Sequence, residues 1–170
     1  MASLAVSLGL RAASSASEKI PSYAPGFLAF HFLLAYGLLS SRTIKQWYGI
    51  DHNESPRYDL ATHGEAAVRA GKLTRGQLEM IKRNESAHAN AVENYAFFAV
   101  AIAFATFSGV ERVSVNRAGL IYTLARIAYG AIYILIGHPL WSQLRGITWW
   151  IGNCSCLYLL WKASGMLNHG

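Results

Sequence analysis

The chain has 170 residues, 53% of them hydrophobic and only 14% charged, with a formal net charge of +6. Soluble domains carry roughly 25% charge, so this composition excludes intrinsic disorder and argues against an ordinary soluble globule. Two cysteines one residue apart, Cys154 and Cys156, exclude a disulfide scaffold; the cations sit beside apolar runs and form no basic stripe with interleaved aromatics, which argues against nucleic acid.

Taken in order, residues 1–21 read as a short flexible N-terminus, Ala/Ser-rich, in which Leu4–Leu10 is weakly apolar and lacks the basic start of a signal. No fixed charge lies between Lys19 and Arg42, and the first membrane helix is predicted over Tyr23–Ser41, with Pro21 and Pro25 at its entry. His31 falls in its middle and is expected to be a neutral histidine with one local partner. Residues 42–83 form a polar connection holding most of the charge. Because long structureless loops are uncommon, a short helix is expected near Thr74–Arg83, running into helix 2. Helix 2 is predicted over Leu78–Gly109, helix 3 over Asn116–Ile136 and helix 4 over Ser142–Lys162, with 164–170 as a tail. The three uncharged stretches Asn94–Val110, Ile127–Leu144 and Gly146–Trp161 support these spans, since a crossing takes about 20 mainly apolar residues. The expected fold is therefore all-α: an integral, multi-pass membrane four-helix bundle with antiparallel neighbours and no internal repeat.

Orientation follows from the cations. The 1–2 and 3–4 connections share one side and carry nine Lys/Arg, namely Arg42, Lys45, Arg57, Arg69, Lys72, Arg75, Lys82, Arg83 and Arg145; the other side carries five. The polar connection is thus expected to face the cytosol. Trp47, Trp141, Trp149, Trp150 and Trp161 all fall near helix ends, where an indole can be half wet. The sequons at Asn53 and Asn84 lie on the wrong side for glycosylation.

Two charges remain at membrane depth, Glu93 in helix 2 and Arg126 in helix 3. At a rise of ~1.5 Å per residue they lie about 15 and about 17 Å from the same face, so an ion pair between them is expected. Arg83, Ser86, Asn90, Glu93 and Phe97 recur at helical spacing, as do Tyr122, Arg126, Tyr129 and Tyr133. Facing one another, the two stripes would form a polar cleft open toward the cytosol, suited to a polar ligand.

Ala87-His88-x-Asn90-x-x-Glu93-Asn94 with Phe97, then Arg126-x-x-Tyr129-x-x-x-Tyr133 and Arg145, resembles the MAPEG family (membrane-associated proteins in eicosanoid and glutathione metabolism) over residues 22–163. The resemblance implies a homotrimer in a lipid bilayer, with glutathione as co-substrate bound between adjacent subunits near the cytosolic side and a lipophilic small molecule as second substrate. It implies the endoplasmic reticulum or another intracellular membrane. By motif, Asn90 and Glu93 hold the peptide part of glutathione, Arg126, Tyr129 and Tyr133 complete the pocket, Arg42 meets a carboxylate, and Arg145 is the catalytic cation that stabilises the thiolate. Close approach of helix 2 at the trimer axis is assigned to Ala99, Ala103 and Ala105.

The chemistry is coherent. Carboxylates suit arginine forks, an ammonium suits Glu93, and a cation beside the thiol favours the thiolate that attacks an electrophile. The mechanism calls for no metal, and the Cys154/Cys156 pair makes neither a zinc site nor a nucleophile in apolar surroundings. The sequence departs from the family pattern at Ser86 and Ala89, where arginines are common. Two functions follow: a glutathione transferase, with peroxidase activity toward lipid hydroperoxides as an extension, or a non-catalytic protein binding lipid or a partner enzyme, as the lipoxygenase-activating protein does.

Overall fold

The structure is a computed structural model, described over residues 4–11 and 20–168. Among these residues every regular element is helical. A single turn, α1 (Leu4–Ser7), precedes α2 (Ala24–Phe32), which starts with Pro25 in its first turn. Proline fits there because the first amides of a helix have no partner within it. The helix then widens into a π-helical stretch over Leu33–Leu38, closed by a Leu39 N–H to Leu34 carbonyl bond of 3.0 Å. The helix expected to run to Ser41 therefore stops short of it and gives way to the separate α3 (Ser41–Trp47).

The polar connection is more ordered than the sequence suggested. Besides α3 it holds α4 (Asp59–Arg69), an amphipathic helix no expectation covered. Ile50, Leu60, Ala67, Leu73, Leu78 and Ile81 bury a small second core between these elements and the start of the next helix. Two glycines make this possible. Gly64 lies so close to α5 that a Cβ there would stand 2.7 Å from a Leu78 methyl carbon. Gly71, at φ +72°, reverses the chain after α4, with its N–H on the Val68 carbonyl and the Lys72 N–H on that of Ala67.

Helix α5 (Arg75–Phe107) has 33 residues, about 50 Å at the usual rise. It begins at Thr74, whose hydroxyl accepts from the Gln77 N–H while the Gln77 side chain accepts from the Thr74 N–H, a reciprocal cap that satisfies two otherwise orphaned donors. The predicted Thr74–Arg83 helix is thus the start of α5. Helix α6 (Arg112–Leu135) and α7 (Leu144–Asn168) follow, separated by Gly137-His138-Pro139 and a turn over Trp141–Gln143.

Helices α5, α6 and α7 pack on one another, and α2 lies against α5 and α6. Their shared core is built on Phe98, Ile102, Tyr122, Cys156 and Leu159. Ala105 is buried in this core, which removes it from the intersubunit face assigned to it from sequence; Ala99 and Ala103 are half-buried. The outer surface is greasy, with Leu38 80% and Phe107 89% exposed. Three helical runs, Ala24–Trp47, Arg75–Phe107 and Arg112–Leu135, are long and apolar enough to cross a membrane. The 25-residue α7 is not among them, because Asn153, Ser155, Lys162 and Ser164 dilute its apolar character.

The described part of the N-terminal stretch docks on α6. Asn116 donates to the carbonyls of Gly9 and Pro21 at 3.0 and 2.9 Å, and Arg117 donates to that of Leu10. The remainder of the stretch expected to be flexible, 1–3 and 12–19, lies outside the described residues.

Candidate functional site

Helix α5 sends Asn90 toward α6, where Arg126 is only 4% exposed. The Arg126 Nη2 donates to Asn90 Oδ1 at 2.8 Å, and its guanidinium carbon lies 4.5 Å from the centre of the Tyr129 ring. Tyr129 meets Tyr133 edge to face, with centroids 5.5 Å apart. The Tyr133 face in turn receives Arg145, at the start of α7, 4.6 Å from its centre. Asn90, Arg126, Tyr129, Tyr133 and Arg145 therefore form one continuous row across α5, α6 and α7. Spacing on α6 produces it: residues 126, 129 and 133 fall on one helix face. A guanidinium over a ring gains from the ring's negative face, and more so where water is scarce. The second Arg126 nitrogen, Nη1, is buried and has no hydrogen-bond partner among the described residues.

Glu93 does not join this row. The expected Glu93–Arg126 ion pair is absent among the described residues, and Glu93 is exposed. The reason is angular. At about 100° per residue, a step of three from Asn90 turns the side chain roughly 60° away, whereas a step of four turns it about 40° the other way. Asn94, at that fourth position, is buried instead, and its carbonyl accepts the Tyr122 hydroxyl at 3.1 Å. Tyr122 also leaves the stripe as a ligand candidate, because its ring stacks on Phe98 at 3.9 Å inside the core.

Glu93 instead lines a groove of ≈ 490 Å³ with Arg42, Arg57, Glu85 and His88. Arg42 is tied there to Asp51, with Nε 3.3 Å from a carboxylate oxygen, and to Asn53. The seven residues singled out from sequence thus separate into a row of five and a groove holding Arg42 and Glu93. A second, apolar groove of ≈ 940 Å³ runs along α6 and α7 past Ile121, Ile147, Trp150 and Ile151.

Other polar residues hold the helices together. Arg83 donates from Nε to the Ile134 carbonyl at 3.1 Å, at the frayed end of α6, and so stays out of the row. His88 donates to the Ala35 carbonyl at 2.8 Å and joins α5 to the π-helical stretch. His31 is buried, and among the described residues its hydrogen-bond partner is the Thr123 hydroxyl of α6 at 3.0 Å, a residue on another helix in place of the local partner expected. Asn84 is buried and donates to the Leu39 carbonyl. Sequence reasoning missed Lys45, 2% exposed, whose ammonium meets Glu85 at 2.9 Å, the Pro56 carbonyl, and Asp59 at 4.0 Å. A lone lysine in a charged loop gives no signal of burial.

The model of the MAPEG family matches residues 20–165. Neither the curated proteins nor the solved structures contain a match to this chain.

Proposed function

The chain belongs to the MAPEG family, and from that premise we propose that it is a membrane-bound glutathione transferase acting on a lipophilic electrophile. The observation that carries the reading is the row itself. It holds two guanidiniums and two phenols, no carboxylate lies in it, and the Arg126 Nη1 has no protein partner among the described residues. An anionic peptide supplies the missing acceptors, and arginine forks match carboxylates.

In this reading Asn90, Arg126, Tyr129 and Tyr133 orient glutathione. Arg145 supplies positive charge at the sulfur and lowers a thiol pKa of about 8.5 toward neutrality. The proton leaves to solvent, the thiolate attacks the electrophilic carbon, and a carbon–sulfur bond replaces the bond to the leaving group. Peroxidase activity toward lipid hydroperoxides is the natural extension. Glu93 takes the ammonium and Arg42 a carboxylate. That the row and their groove stand apart within one chain supports a homotrimer of four-crossing subunits, in which the groove of one subunit adjoins the row of its neighbour. An endoplasmic-reticulum or other intracellular membrane, with the polar connection 42–83 cytosolic, completes the proposal.

A second reading is a non-catalytic protein that binds lipid or a partner enzyme. Ser86 and Ala89 favour it, as does the apolar groove along α6 and α7. Titration of glutathione into purified, detergent-solubilised protein separates the two. The enzyme reading expects binding at or below millimolar glutathione and a thiolate absorbance near neutral pH; no binding at millimolar concentration selects the second reading.

A further inference from the structure

Outside the membrane helices, two histidines and a carboxylate converge in the polar connection that holds α3 and α4. Asp59 opens α4 and His63 lies one turn later, so an i,i+4 spacing puts both on one helix face. His52 comes to them from the loop between α3 and α4. One ligand atom from each of the three lies within 4.8 Å of the others. The His52 and His63 rings are 3.9 Å apart at a 33° tilt, and His52 Nδ1 is 3.1 Å from Asp59 Oδ1.

We propose that His52, Asp59 and His63 bind one divalent transition-metal ion, with Zn²⁺ the best match. Four ligands at bonds of about 2.0–2.1 Å around zinc stand about 3.3 Å apart. The His52–Asp59 separation of 3.1 Å is already close to that, and His63, whose ligand atom lies within 4.8 Å of both, would draw in on binding. Two imidazole nitrogens with one carboxylate oxygen are borderline donors that suit zinc, whereas calcium and magnesium seek all-oxygen sets. The carboxylate is already oriented for an ion. Asp59 is 2% exposed, and its other oxygen accepts the His52 backbone N–H at 3.1 Å, a contact of the kind that fixes ligands in metal sites. Lys45 stands 4.0 Å from that second oxygen, but its charge is already engaged by Glu85 and the Pro56 carbonyl. The His52 side chain is 48% exposed, which gives the ion an entry path and leaves room for water as fourth ligand. The ion would pin the loop carrying Asp51 and Asn53, the two residues that hold Arg42. This site is independent of the glutathione reading.

The test uses the untagged full chain in detergent, stripped with a chelator and then titrated with Zn²⁺ or Co²⁺ alone. Expected are one saturable equivalent per chain at micromolar or tighter affinity, visible Co²⁺ absorption of a four-coordinate site, and a raised melting temperature. His63→Ala and His52→Ala should each weaken binding by about 100-fold or more, since even outer-contact losses reach 10–100-fold. His138→Ala, in the exposed α6–α7 turn, should bind as the parent does. Helical circular dichroism verifies that each variant is folded. Absence of a saturable equivalent in the parent, or unchanged affinity in both folded histidine variants, overturns the proposal.

Discussion

In the platform of α3, α4 and the first turns of α5, each buried charge faces an opposite one. Lys45 meets Glu85 and Asp59, while Asp59 also takes His52. At the surface of the same platform, Arg75 and Glu65 make two parallel bonds of 2.6 and 2.8 Å. In the row between α5, α6 and α7 the arrangement is reversed: Arg126 and Arg145 rest on an amide oxygen and two ring faces, with no carboxylate. Charge that is neutralised internally holds a fold together. Charge left with neutral partners at membrane depth, as Arg126 is, costs stability, and the ligand proposed above would offset that cost.

The sharpest way to break this comparison is Lys45→Met. It leaves the buried Asp59 and its neighbour Glu85 without their ammonium, which should cost about 3–5 kcal/mol of stability, read as earlier loss of helical signal in a denaturing-detergent titration. A loss under about 1 kcal/mol, the scale of an exposed pair, would mean that the platform charges are ornamental.

Arg145→Lys tests the other region. Lysine keeps the charge but not the planar guanidinium that lies over Tyr133. Fold, assembly and most glutathione affinity should survive, while turnover falls about 10²–10³-fold by analogy with lost oxyanion donors. Normal turnover in this variant would make Arg145 a headgroup anchor.

A pair of double-mutant cycles sharpens the assignment of Arg126. With Asn90→Ala the coupling should be about 1.5–3 kcal/mol, the range for a hydrogen bond to a charge. With Glu93→Gln the two effects should add to within about 0.5 kcal/mol, as for residues without contact. Coupling to Glu93 in place of Asn90 would restore the ion pair expected from sequence. Smallest of all, Thr74→Ala removes the reciprocal cap of α5 and should lower stability by about 1 kcal/mol, with turnover unchanged. A change in turnover would tie the platform end of α5 to the row.

Much of this molecule was legible in one dimension. The Thr74/Gln77 cap that starts α5 was recognised only in the structure, but uncharged runs and helix-compatible proline positions determine where the long helices lie, because membrane insertion depends on local composition. The α6 stripe of Arg126, Tyr129 and Tyr133 was legible for the same reason: residues on one helix keep their angular order wherever the helix packs. What the sequence left open was every relation between helices. Depth along the bilayer normal made Glu93 the natural partner of Arg126, but the rotation of α5 about its own axis chose Asn90, and nothing in the α5 sequence records that rotation. The platform was hidden for a related reason. Its small core joins residues from Ile50 to Ile81 across several turns of chain, and its histidines meet only where the α3–α4 loop turns His52 back onto α4. Gly64 permits that approach, yet as a letter in the chain it is one glycine among fifteen; only the packed structure distinguishes it.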